Sequence, residues 1–190
     1  MDKKTQLLDA SERVYCEFGN LGLTVRRLAA EGDTTSQTIY TYFGSRDAVI
    51  VSMYDRILAD LRDRMLAGVR SELDASAADP ASRLVSALTG YYRYSVDNPA
   101  RFKMLAEGTG PEGTEPGLVR SLQQELVDTV AAGMRAADHD PSGVRQALAQ
   151  IHGLIQAELD GFIESGALSD GDRQNLVART LSLVPSGAGA

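Results

Sequence analysis

The stretch TVRRLAAEGDTTSQTIYTYFGSR, residues 24–46, decides the fold. Thr24 stands at an N-cap position, where a hydroxyl accepts from the free amides of a first helical turn, and it opens a short helix reaching to about Glu31. Gly32-Asp33 breaks that helix. Thr34 or Thr35 then caps a further short helix that runs to about Phe43 and stops at Gly44. Leu28 and Ala29 on the first of these helices need a buried partner, and Ile39 and Phe43 on the second supply it. Upstream, Leu7, Leu8, Val14, Tyr15 and Phe18 recur at helical spacing and make one face of a supporting helix, which Gly19-Asn20 stops. A supporting helix, a short capped helix, a tight turn and a second short helix form the trihelical helix-turn-helix plan.

The outward positions of the last short helix are Ser36, Gln37, Thr38, Tyr40, Thr41 and Tyr42. A helix meant only for solvent usually carries Glu and Lys. This one presents hydroxyls, an amide and phenols and no carboxylate, which suits the major groove, where donors are needed and phosphates repel acids.

Beyond Gly44 the apolar spacing stays helical. Ser45 caps a long helix with the stripe Ile50, Met53, Ile57, Leu61 and Met65. Residues 74–80 break it. The next helix turns Leu84, Leu88, Tyr91, Tyr92 and Ser95 inward, and Asn98-Pro99 separates it from a shorter one carrying Phe102 and Leu105. Gly108 to Gly117 reads as a loop, followed by helices over about 118–137, 142–165 and 170–184. The expected fold is therefore all-α: a head over residues 1–45, and a larger ligand-binding and dimerisation domain over 46–190. Within the latter, 46–73 is the connecting helix and 185–190 a frayed tail.

The composition narrows the function. Hydrophobic residues make up 43% and charged residues 24%, the profile of a globular protein. No run of ~18 apolar residues appears, so no membrane partner is expected. The single cysteine, Cys16, reads as a small apolar group on the first helix and fits a cytoplasmic setting. The net charge is −7, but residues 1–50 hold six basic against seven acidic side chains, so the acidity lies mainly in the body. Two distant histidines, one cysteine and no metal-spaced cluster leave catalysis without a constellation, and no cofactor is expected. His139, between two aspartates, reads as a solvated loop residue. His152, on an apolar helix, reads as a hydrogen-bonded core or interface residue.

The segment LLDASERVYCEFGNLGLTVRRLAAEGDTTSQTIYTYFGSRDAV, residues 7–49, resembles the head of the TetR (tetracycline-repressor) family. Its most specific pieces are Thr24-Val25-Arg26, Leu28-Ala29 and Thr38 to Phe43 with Ser45-Arg46. The resemblance implies an operator-binding regulator whose Thr24, Arg26, Arg27, Thr41, Tyr42 and Arg46 meet the DNA backbone. Thr35, Ser36 and Gln37 begin the recognition helix, with Ser36 and Gln37 reaching base edges. Thr38 and Tyr40 touch phosphate or a thymine methyl. Against these roles stand plainer ones: core aromatics for the tyrosines and solvated charges for Arg26 and Arg27. The chain departs from the family where Asp33 replaces a frequent glycine, Gln37 another, and Thr41 a frequent histidine.

Tyr91-Tyr92, Asn98-Pro99, Phe102, Ile151-His152-Gly153 and Gly161-Phe162 resemble one subset of TetR-like C-terminal domains, with Leu148 where that subset often has tryptophan. Two heads reading a near-palindrome need a homodimer, and the seam Leu148, Ile151, Ile155, Leu159 and Phe162, with Leu181, is the expected interface. A hydrophobic or amphipathic effector is expected against Tyr91, Tyr92, Tyr94, Phe102, Met104 and Met134, with Glu107, Gln156 and Glu158 as polar anchors. The alternative function is an all-α ligand-binding or scaffold dimer without DNA binding.

Overall fold

A computed structural model of the chain describes residues 2–73, 79–107, 124, 127, 128, 130–164 and 166–184, giving only the backbone of residues 20, 66, 68–73 and 107. Among these every regular element is a helix. In chain order they are α1 (Lys3–Gly22), α2 (Val25–Glu31), α3 (Ser36–Phe43), α4 (Arg46–Leu73), α5 (Pro80–Asp97) and α6 (Pro99–Glu107). Residues 130–136 form α7, a 3₁₀ turn follows at Pro141–Gly143, and α8 (Val144–Leu159) and α9 (Asp170–Ser182) complete the set. Two compact units result. One holds the described residues up to Ala59 together with Glu107, the other Asp60–Ala106 and the described residues from Gln124 onward.

In the first unit the capping residues do what their chemistry suggests. Thr24 Oγ1 accepts from the Arg27 amide at 3.3 Å, Thr35 Oγ1 from the Thr38 amide at 3.3 Å, and Ser45 Oγ from the Ala48 amide at 3.1 Å. Each such cap holds about 1 kcal/mol of helix stability. The core beneath is built from Leu7, Val14, Leu23, Leu28, Ile39, Ile50 and Met53, all at most 1% exposed. Arg56 reaches from α4 to α1 and bridges Asp9, at 2.6 Å, and Glu12. The turn between α2 and α3 divides between two residues the work one glycine often does. Asp33 takes the left-handed backbone, φ 45°. Gly32 has an ordinary φ of −85°, but a Cβ there would lie 2.9 Å from Leu7 Cδ2 and 3.1 Å from the Leu28 carbonyl.

In the second unit α5 buries Leu84, Leu88, Tyr91, Tyr92 and Ser95, and α8 buries Val144, Ala147, Leu148, Ile151 and Ile155. Val177 and Leu181 of α9 close the same core. Asp79 caps α5 and Ser169 with Asp172 forms a reciprocal capping box at α9. Serine hydrogen bonds hold the carboxyls of Asp79 and Asp172 below their usual range.

Several expectations need correction. Phe18 is 44% exposed, because Gly19, at φ 62°, bends α1 just beyond it. Cys16 is exposed, not tucked into the head. Phe43 is half-buried, with the Lys4 ammonium 5.7 Å from its ring centre. The helix expected over 142–165 is shorter at both ends. Pro141 starts it as a 3₁₀ turn, and Gly161 at φ 79° prevents its continuation past Leu159. Phe162 therefore stands 86% exposed beyond the helix. His139 is half-buried, and its Nδ1 is enclosed without a hydrogen-bond partner. The expected loop over 108–117, the first residues of the 118–137 helix and the tail 185–190 lie outside the described residues.

Candidate nucleic-acid interface

α3 is held by its buried side and presents the rest to solvent. Ile39 is 1% exposed, whereas Ser36, Gln37, Tyr40, Thr41 and Tyr42 are exposed and Thr38 is half-buried. Tyr40 and Tyr42 are 48% and 45% exposed. Two large aromatic side chains turned outward on one eight-residue helix are unusual for a face that meets only water. No charged residue lies on α3 at all. Thr35 Oγ1 and Thr38 Oγ1 lie 3.1 Å apart, and Thr41 Oγ1 donates to the Gln37 carbonyl at 2.9 Å. Thr35, Thr38 and Thr41 are thus tied into the helix. Ser36, the Gln37 amide and the two phenols are the polar groups of this face without a hydrogen-bond partner among the described residues.

The cations around this face are held to different degrees. Arg46 donates its Nε to the Leu23 carbonyl and its Nη1 to Asp47 at 3.3 Å, locking the start of α4 to the α1–α2 turn. Only its remaining N–H groups can serve a phosphate. Arg27 stacks on Phe18, 4.0 Å from the ring centre, and donates to the Gly22 carbonyl at 3.3 Å. Arg13 pairs with Glu31 at 2.5 Å. Arg26 is exposed on the first turn of α2, beside the Thr24 cap. The exposed face of Phe18 that sequence periodicity placed inside is the platform for Arg27. No local signal reveals that contact, because it depends on the bend at Gly19.

The residues expected to meet an effector fall into three groups. Tyr91, Tyr92, Tyr94, Phe102, Met104 and Met134 are all buried in the second unit. Glu158 is 2% exposed and bound to Arg173, while Gln156 is exposed and donates to Asp160 at 2.8 Å. The Glu107 side chain lies outside the described residues. A separate cleft of about 380 Å³ opens where α4, α5 and α9 meet, and of the expected residues it takes only Tyr94. Its lining includes Arg64, Arg93, Asp97 and Asp170 beside Ala67, Gly90 and Tyr94, so it mixes charged with apolar surface. Of the expected dimer residues, Leu148, Ile151, Ile155 and Leu181 are buried within this unit, Leu159 is half-buried and Phe162 is exposed. Among the described residues no group of three metal-ligating side chains occurs, and no helix is long and apolar enough to cross a membrane.

Comparison with known proteins agrees with this arrangement. Residues 7–53 match the family model for bacterial regulatory proteins of the tetR family, and residues 84–184 match that for the tetracyclin repressor-like C-terminal domain. No curated protein matches. A tetR family transcription regulator from Shewanella sp. PV-4 superposes with a TM-score of 0.73 at 12% identity, over 97% of this chain and 98% of that one. AibR, solved in complex with isovaleryl coenzyme A and operator DNA, gives 0.70 at 15% identity over 95% and 98%. The fatty acid degradation regulator FadR from Bacillus halodurans gives 0.70 at 16% over 94% and 96%. With a helix-turn-helix whose exposed face is built of hydroxyls, an amide and phenols, and with the two family models together covering head and body, the chain belongs to the TetR family of transcriptional regulators.

Proposed function

We propose that the chain is a repressor that binds a near-palindromic operator as a homodimer and lets go when a hydrophobic or amphipathic small molecule binds its second unit. The division of labour is a head over residues 1–45 and an effector and dimerisation domain over 46–190. The observation that carries the DNA reading is the solvent face of α3. It is free of carboxylates, braced through Ile39, and fixed at its start by Thr35. Ser36 and Gln37 occupy its first turn, where side chains of a recognition helix point into the major groove. Arg26, Arg27 and the Thr24 cap flank it as phosphate contacts, with Arg46 contributing from a braced position.

Gln37 reads a base. Its amide offers a donor and an acceptor that match adenine N6 and N7. Gln37→Ala is expected to relax preference at one position per half-site by about 1–3 kcal/mol and to leave the others alone. Binding-site selection with wild type and variant side by side checks this. Identical preferences at every position would remove Gln37 from base reading, and no selected motif with wild type would defeat the repressor reading in favour of a scaffold dimer.

The homodimer is formed through the outer sides of α8 and α9, with the exposed Phe162 and Leu183, the latter 67% exposed, as its apolar contacts. The already buried Leu148, Ile151, Ile155 and Leu181 support that surface from beneath. Phe162→Glu with Leu183→Glu should leave the fold intact, since both side chains face water in the single chain. It should give monomers in sedimentation and weaken operator binding by about a hundredfold, the avidity of the second head being lost. A variant that sediments as a stable dimer places the interface elsewhere.

A further inference from the structure

In the first unit a bend and a missing side chain bring an arginine onto a ring. Gly19 takes a left-handed φ of 62°, so α1 bends just past Phe18. Gly22 then ends α1. A Cβ at Gly22 would collide with Phe18 Cβ and stand 3.1 Å from Arg27 Nη1, so a side chain there would displace one or the other. Glycine leaves room for both. Arg27 reaches back from α2 into that room: its guanidinium carbon lies 4.0 Å from the Phe18 ring centre, and Nη1 donates to the Gly22 carbonyl at 3.3 Å.

A guanidinium held this way keeps its charge. Three other arginines of the same unit are paired with carboxylates: Arg13 with Glu31, Arg46 with Asp47, and Arg56 with Asp9 and Glu12. The partners of Arg27 are a ring and a carbonyl, both neutral, and among the described residues it makes no ion pair. Stacking occupies the flat face of the guanidinium, whereas its N–H groups lie in the plane. One N–H goes to Gly22 and the others stay open. Arg27 is exposed and Phe18 is 44% exposed, so the pair stands at the surface of the head. It also stands near the end of α3. Arg46, three residues past that end, donates its Nε to the carbonyl of Leu23, the residue after Gly22.

We propose that Phe18 is a positioning residue for DNA binding, its ring presetting Arg27 as an uncancelled cation for one backbone phosphate. The proposal rests on the DNA reading above and adds a residue that does not itself touch DNA. A freely rotating arginine gives up rotamer freedom when it meets a phosphate, which costs about two- to tenfold in affinity for one long side chain. In this head the ring and the Gly22 carbonyl impose much of that order before DNA arrives. An exposed aromatic ring is otherwise a liability at the surface of a helix, and here it is covered by the group it orders.

The test uses the full-length protein and a random-sequence DNA duplex, since a phosphate contact is indifferent to sequence. Phe18→Leu should bind about fivefold more weakly than wild type at every salt concentration, with the salt slope unchanged, because the cation still reaches its phosphate. Arg27→Ala should reduce that slope by about one unit. Phe18→Leu should then be silent in the Arg27→Ala background, and Phe18→Tyr, which keeps the ring face, should bind as wild type does. In the free protein the Arg27 side-chain protons should carry upfield ring-current shifts in wild type and Phe18→Tyr and lose them in Phe18→Leu, a readout independent of DNA. Undiminished binding by Phe18→Leu, an equal loss from it with and without Arg27, or an unchanged slope in Arg27→Ala would overturn the positioning role. A lower melting temperature in Phe18→Leu with binding intact would overturn it too and leave the stack a purely structural contact. A wild type that holds no duplex even at low salt would overturn the DNA reading itself.

Discussion

Replacing Arg173 with methionine is expected to destabilise the second unit by about 3–5 kcal/mol, the usual cost of stranding a buried charge. Arg173 of α9 grips Glu158 of α8 with two groups, Nη2 on Oε1 and Nε on Oε2 at 3.3 Å, and the two side chains are only 14% and 1% exposed. The guanidinium also lies 5.8 Å from the centre of the Tyr92 ring and 3.7 Å from Asp170. Those neighbours hold the arginine's pKa above its usual value, the hydrogen bond to Glu158 first among them. Burial, and then Glu158, push the Tyr92 phenol up. Methionine fills much of the volume but leaves the Glu158 carboxylate with no partner of opposite charge. Adding Glu158→Gln should return a large part of the loss, because an amide is far cheaper to bury than an ion. Urea unfolding of the two single variants and the double checks this. A single-variant loss below about 1 kcal/mol would show that water reaches the pair and screens it.

Gly90→Val should cost about 2–3 kcal/mol, the penalty of overpacking a site that cannot yield. A Cβ at Gly90 would stand 2.8 Å from the Arg64 carbonyl and 3.2 Å from Met65 Cα. Those atoms belong to the backbone of α4, so no rotamer change relieves the clash and the helices must part. Gly153 of α8 is the control, since a Cβ there meets nothing within 4 Å. Gly153→Val should fall within about 0.5 kcal/mol of wild type. Thermal melts of the two variants separate a packing requirement from helix propensity, which treats both glycines alike. Equal effects at the two positions would remove the close approach of α4 and α5 from the explanation.

The head was legible in the sequence because its signals are local. Thr24, Thr35, Ser45 and Gly44 each act within one helical turn, and helix ends follow from them. What was misread depends on contacts far apart in the chain or on a single dihedral. Phe18 has helical spacing with Val14 yet faces out, because Gly19 bends the chain and Arg27 covers the ring. Gly161 falls within the helix expected over 142–165, and its positive φ ends that helix instead. The hydrogen bond joining Tyr91 and His152 spans 61 residues, and the brace from Arg46 to Leu23 spans 23. No pattern of neighbouring residues encodes either. Of the residues expected to line an effector site, Tyr91, Phe102 and Met134 are buried in the second unit, as their apolar bulk suggests.

The absence of charge on α3 has a consequence for how the protein behaves as ionic strength changes. Added salt weakens contacts in which a cation displaces counterions from phosphate, and it scarcely affects hydrogen bonds between neutral groups and base edges. In this head the cations sit on α1, α2 and at the start of α4, whereas the exposed groups of α3 are neutral. On the operator-binding reading proposed above, affinity and selectivity are carried by different elements. Raising the salt should then loosen the hold on every DNA sequence together and leave the preference for one sequence over another nearly unchanged.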